Sequence, residues 1–66
     1  MTMTHFNELT IEEQKIIVEQ AGKTFDNEIT EEGYIEFFLV EDFSVRMEYE
    51  NVNLVEVKAF ADMPAQ

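Results

Sequence analysis

Carboxylates are the most abundant reactive groups in this chain, with fifteen Asp and Glu against four Lys and Arg and a formal net charge of -11. Asp26, Glu28, Thr30 and Glu32 alternate as the oxygen ligands of a calcium loop can. The EF-hand pattern then requires glycine at its sixth position and glutamate at its twelfth, where this chain has Glu31 and Phe37. A pair of acids could hydrolyse a glycoside only across a cleft, and a chain this short has little volume for one. Nucleophilic catalysis is no better served. Cysteine is absent, and the one serine, Ser44, falls in an expected strand with no histidine placed near it. The one histidine, His5, stands in a polar opening stretch and reads as an exposed bystander, neither base nor ligand. No Gly-rich phosphate loop is present. Four cations are too few for nucleic-acid binding by ordinary routes. The residues therefore predict a protein that is not an enzyme and uses no metal or cofactor.

What the acids do predict is a partner. A strongly negative surface repels nucleic acid and anionic membranes and attracts cationic protein surfaces, in a salt-dependent way. The same charge opposes compaction. Hydrophobic residues make up 45% of the chain and aromatics 12%, too much for a disordered acidic tail. The longest strongly apolar run is Phe37 to Val40, far short of a membrane span, and the start is polar, so a cytoplasmic protein is expected.

The elements that must position these acids follow from periodicity. Sixty-six residues make one domain, residues 1–66, and such a chain hides only roughly 60% of its unfolded surface. Residues 1–8 have no period and are expected to fray, with Phe6 able to pack on the domain edge. Thr10 and Glu13 form a T-x-x-E capping box. Ile11, Gln14, Ile17, Val18 and Ala21 then share one stripe at helical spacing, and Gly22 supplies a stop. The pattern predicts an amphipathic helix over 10–21. Residues 23–33 mix turn formers with isolated apolar residues, and read as a loop or a short edge strand. Three strands follow within 34–60, at Tyr34 to Val40, Ser44 to Glu50 and Leu54 to Phe60, as a β-meander. The tail 61–66 ends the sheet, since Pro64 cannot continue a ladder. Met47 takes a core position, whereas Met1, Met3 and Met63 stand near the ends. The expected fold is α+β: two layers, one N-terminal helix on a three-stranded antiparallel meander (αβββ), with room for a fourth short edge strand.

Parity assigns the faces. Ile35, Phe37 and Leu39, then Val45, Met47 and Tyr49, then Val55, Val57 and Ala59 are all odd-numbered. Pairing odd with odd requires three-residue hairpin loops, which Glu41-Asp42-Phe43 and Asn51-Val52-Asn53 can provide. The helix would cover that face and leave the even-numbered one open. There Glu36, Glu48 and Glu56 would line up across strands at roughly 4.8 Å spacing, a row of like charges that costs stability unless neutralised. Arg46 and Lys58 could relieve it as an ordinary solvated face. Alternatively the row, with Glu50 and the exposed Tyr34, Phe38 and Phe60, would receive basic side chains of a partner. Glu31, Glu32, Glu41 and Asp42 in loops are secondary candidates.

By analogy alone, very small acidic proteins without catalytic groups include the nucleic-acid mimics of phages and mobile elements, such as anti-CRISPR and anti-restriction proteins. These occupy basic channels that would otherwise hold DNA or RNA. A channel built to neutralise phosphates also attracts clustered carboxylates. The expected function is an inhibitor of this kind. The alternative is a small dimeric adaptor or structural module joined through the open sheet face, in which Tyr34, Phe38 and Phe60 matter more than any acid. On the mimic reading, glutamines at Glu36, Glu48 and Glu56 weaken binding without unfolding the domain, measured as affinity beside a thermal melt.

Overall fold

The computed structural model describes residues 1–61, so Asp62 to Gln66, with Met63 and Pro64, lie outside the described residues. Two helices, α1 (Met3–Asn7) and α2 (Ile11–Ala21), precede four strands: β1 (Lys23–Ile29), β2 (Gly33–Val40), β3 (Phe43–Glu50) and β4 (Asn53–Phe60). The strands form one antiparallel sheet in the order β1-β2-β3-β4, with the helices packed on one face. The molecule measures 32 × 30 × 17 Å. The two-layer α+β fold is therefore the expected one, with its fourth edge strand present.

The start of α2 is held as its capping box requires. Thr10 Oγ1 accepts from Glu13 N at 3.2 Å, and Glu13 Oε1 accepts from Thr10 N at 2.9 Å. Of its apolar stripe, Gln14 and Val18 are buried and Ile17 is half-buried, whereas Ile11 and Ala21 are exposed. The opening residues, expected to fray, instead form α1. Thr2 caps it by accepting from His5 N, and Phe6 is fully buried with its ring 5.4 Å from that of Phe43. The buried Gln14 amide donates to Phe6 O at 2.9 Å and joins the two helices. A five-residue helix has no visible period, and helices this short depend on tertiary burial rather than propensity. The core combines Phe6 and Val18 with Val40, Phe43, Val45 and Met47.

Both expected three-residue loops are two-residue turns. β2 ends at Val40 and pairs it with Phe43, leaving Glu41-Asp42; Glu50 pairs with Asn53, leaving Asn51-Val52. The first loop residue of each, Glu41 at φ 55° and Asn51 at φ 58°, adopts the left-handed conformation that the hairpin twist favours. In consequence β2 is turned over. Tyr34, Glu36, Phe38 and Val40 share a face with Val45 and Met47, while Ile35, Phe37 and Leu39 face away from the helices. Parity alone would put the odd-numbered set of β2 in the core, with the apolar pattern choosing the face. That pattern cannot choose it: GYIEFFLV is apolar at both parities, so turn geometry decides. On β4 an irregularity between its Glu48 and Tyr49 partners leaves Val55 as an extra residue, after which Met47 pairs with Val57 and Val45 with Ala59, as parity required.

β1 is exposed along its whole length and shows no alternation, which is why its residues read equally as loop. Its ladder to β2 and the tight Thr30–Gly33 turn hold it. There Thr30 N donates to Gly33 O, and Gly33 N donates to Thr30 Oγ1, both at 3.0 Å. Gly33 is required by close approach of backbone. A Cβ there would run into Tyr49 O and sit 2.9 Å from Asn51 N.

Two substitutions check this account by denaturant unfolding. Phe6→Ala costs about 3–5 kcal/mol if α1 is core, as buried Phe to Ala changes do, whereas a frayed end would be indifferent. Gly33→Ala costs about 1–3 kcal/mol, the range for forcing an atom into packed structure, because the atoms it meets belong to backbone and cannot rotate aside.

Candidate protein-binding surfaces

The registers place the site candidates on two different faces. On the helix-free face, aligned ladders give rows across β1, β2, β3 and β4. Nearest the β2–β3 turn stand Lys23, Leu39, Ser44 and Phe60. The next row holds Asp26, Phe37, Arg46 and Lys58, with Phe25 as the extra residue at an irregularity in β1 and its ring 6.1 Å from that of Phe37. Then come Glu28, Ile35, Glu48 and Glu56, and finally Gly33, Glu50 and Asn53.

An acidic row therefore exists, but its membership differs from the expected one. Glu48 and Glu56 are direct ladder partners, as proposed. Ile35 occupies the β2 position where Glu36 was placed, and Glu28 on β1 extends the row. The like-charge cost of the Glu48–Glu56 pair is relieved within the chain. Arg46 Nη1 lies 2.8 Å from Glu56 Oε1 and 3.3 Å from Glu48 Oε1. Three of the four cations, Lys23, Arg46 and Lys58, stand on this face, towards its β2–β3 turn, with Asp26 in the row of the last two, and the glutamates stand towards the other end.

The helix-side face carries the second group. Tyr34 and Tyr49 pair across β2 and β3 and stack with ring centroids 4.6 Å apart and 15° between planes. Both are half-buried. The Tyr49 hydroxyl has its pKa raised above the ordinary 10.0, first by burial and then by Tyr34, Glu36 and Glu19. Negative groups from β2 and α2 thus converge on one aromatic pair. Among the described residues, no ion pair joins Glu19 or Glu36 to a cation. Phe38, expected to be exposed beside the acids, packs half-buried against the core.

The remaining candidates are separated. Glu31 and Glu32 occupy the β1–β2 turn, where Glu32 O accepts from Asn51 N at 2.8 Å, next to Glu50. Glu41 and Asp42 lie at the opposite end and line an open hollow with Met1, Met3 and Phe43. There the Met1 amino group is 2.7 Å from Glu41 Oε2. Glu19 was missed by sequence reasoning, and its position off the apolar stripe of α2 gave no sign that its charge would reach Tyr49. Among the described residues no three His, Asp or Glu side chains converge as metal ligands, and no helix is long and apolar enough to cross a membrane.

Comparison with protein-family models, curated proteins and solved structures returned no match to this chain.

The Tyr49 shift has a consequence for stability. A raised folded-state pKa contributes stability that is fully present below the unfolded value near 10.0 and is lost as pH rises through the folded value. Denaturation midpoints should fall as pH climbs above 10.0, and Tyr49→Phe should reduce that fall. Equal alkaline slopes in the two proteins would show that Tyr49 ionises freely in the fold.

Proposed function

We propose that this chain is a non-enzymatic acidic inhibitor that acts in the cytoplasm by occupying a basic, nucleic-acid-binding surface of a partner protein. The observation that carries this reading is the stacked Tyr34–Tyr49 pair, whose Tyr49 hydroxyl feels the negative charges of Glu36 and Glu19, neither of them ion-paired among the described residues. A guanidinium is recognised by carboxylates through charge-assisted hydrogen bonds and by aromatic faces through cation–π attraction, so this arrangement suits an incoming Arg. The acids at the same end of the sheet, Glu31 and Glu32 in the β1–β2 turn and Glu50 at the end of β3, add long-range attraction.

Glu48 and Glu56 are weaker candidates than the unpaired acids, because Arg46 already occupies them. A partner cation would have to displace it. The surface meant for phosphates on a DNA- or RNA-binding protein supplies the required density of Arg and Lys, which connects the acidic surface to nucleic-acid mimicry.

The test is affinity capture from cell extract at low and raised salt, with partners identified by mass spectrometry and with added DNA or RNA as competitor. The expected partner binds nucleic acid, is released by salt and by the competitor, and binds the Glu19→Gln/Glu36→Gln double variant roughly tenfold more weakly in Kd. The Glu48→Gln/Glu56→Gln variant should lose less. A partner indifferent to salt, to nucleic acid and to the first variant would overturn the proposal.

A further inference from the structure

We propose that the helix-free sheet face is an interface between two copies of this chain, stacked sheet on sheet about a two-fold axis that runs across the strands between the Arg46 and Glu48 rows.

The face is apolar along β2, where Ile35 is buried and Phe37 and Leu39 are half-buried, and no helix covers it. Phe25 on β1, 40% exposed, and the half-buried Phe60 on β4 add apolar area at its two edges. The charges of the face are arranged to complement a copy of themselves. The two-fold reverses strand direction, so the row holding Arg46 lies over the second copy's row holding Glu48. Arg46 then meets Glu48, Lys58 meets Glu56 and Phe37 meets Ile35, and each contact occurs twice, as an isologous interface requires. At the β1 edge Asp26 meets Glu28, a like-charged contact that Lys23 on the same edge offsets.

The choice of a second copy over another partner rests on this self-complementarity. A chain with net charge -11 repels itself over most of its surface. Three of its four cations nevertheless gather on this one face. Among the described residues, Lys23 and Lys58 form no ion pair within the chain. Area is sufficient. Four strands about 4.8 Å apart, with residues rising about 3.3 Å, give roughly 500 Å² per copy. Two copies together reach about 1,000 Å², the lower bound for a specific interface. The Tyr34–Tyr49 surface stays outward on both copies, so the dimer neither requires nor excludes the partner proposed above.

The experiment is sedimentation velocity of the full chain over a concentration series. The expected result is a species of twice the 7.8 kDa chain mass. Lys58→Glu should weaken association about tenfold or more, since it places like charges against Glu56 twice. Adding Glu56→Lys to it should restore the dimer, because the swapped pair meets again across the axis. Phe37→Glu should give a monomer. Lys58 is exposed, so its substitution tests the interface even if Phe37→Glu unfolds the chain. A monomer at every concentration, or a dimer unaffected by Lys58→Glu, would overturn the proposal.

Discussion

The two-residue turn at Glu41-Asp42 is the constraint from which most of the surface chemistry follows. In an antiparallel pair, the number of loop residues sets which side chains meet, and a change of one moves a whole strand's side chains to the opposite face. With two residues in the loop, Val40 lies opposite Phe43 in the core, and Tyr34 lies opposite Tyr49. The same choice sends Ile35, Phe37 and Leu39 to the face without helices and moves Glu36 off it. Glu41 holds the left-handed conformation, which costs about 1–2 kcal/mol for an L-residue. Burial of Val40 and Phe43 on either side of the turn offsets it.

The distribution of charge follows from that geometry. Arg46 stands between Glu48 and Glu56 and converts a repulsive cross-strand pair into a bridged one. All three members are partly exposed, so the bridge contributes little net stability and chiefly removes repulsion. Glu36 and Glu19 lack this compensation, and their charges add to the burial that raises the Tyr49 pKa. The molecule thus has one face where most of its cations stand among the acids and apolar area is open, and another where negative charge gathers around aromatic rings. A chain of this size, with two thin layers, cannot bury both faces of its sheet with two short helices.

Much of the fold was legible in the residues. The capping box at Thr10 and Glu13, the apolar spacing through Val18 and the β-branched and aromatic strands each depend on local physics, which is why α2 and β2 to β4 fall at or within one residue of their expected limits. α1 was hidden, and β1 was legible only as an edge strand equally readable as a loop. β1 presents no alternation because both of its faces are wet, and α1 is too short to show a period. The candidate site was legible in part. Glu48 and Glu56 pair because β3 carries apolar residues at one parity only and the irregularity at Val55 restores the expected parity on β4, whereas β2 carries them at both, and every reading that depends on its face, Glu36, Tyr34 and Phe38 among them, is open to reversal.

By itself, then, the sequence determined the composition of the surfaces: a strongly acidic small α+β domain with no cysteine, one histidine and few cations, whatever its register. Tertiary structure alone decided which of those acids are free. Burial of Phe6 drew the opening residues into a helix, the left-handed residues Glu41 and Asn51 set the hairpin registers, and those registers brought Arg46 to Glu48 and Glu56 while leaving Glu36 beside Tyr49. The physical reason is that neither a turn's dihedral angles nor a contact between distant strands is encoded in the hydrophobic period, and both are settled only when the layers pack.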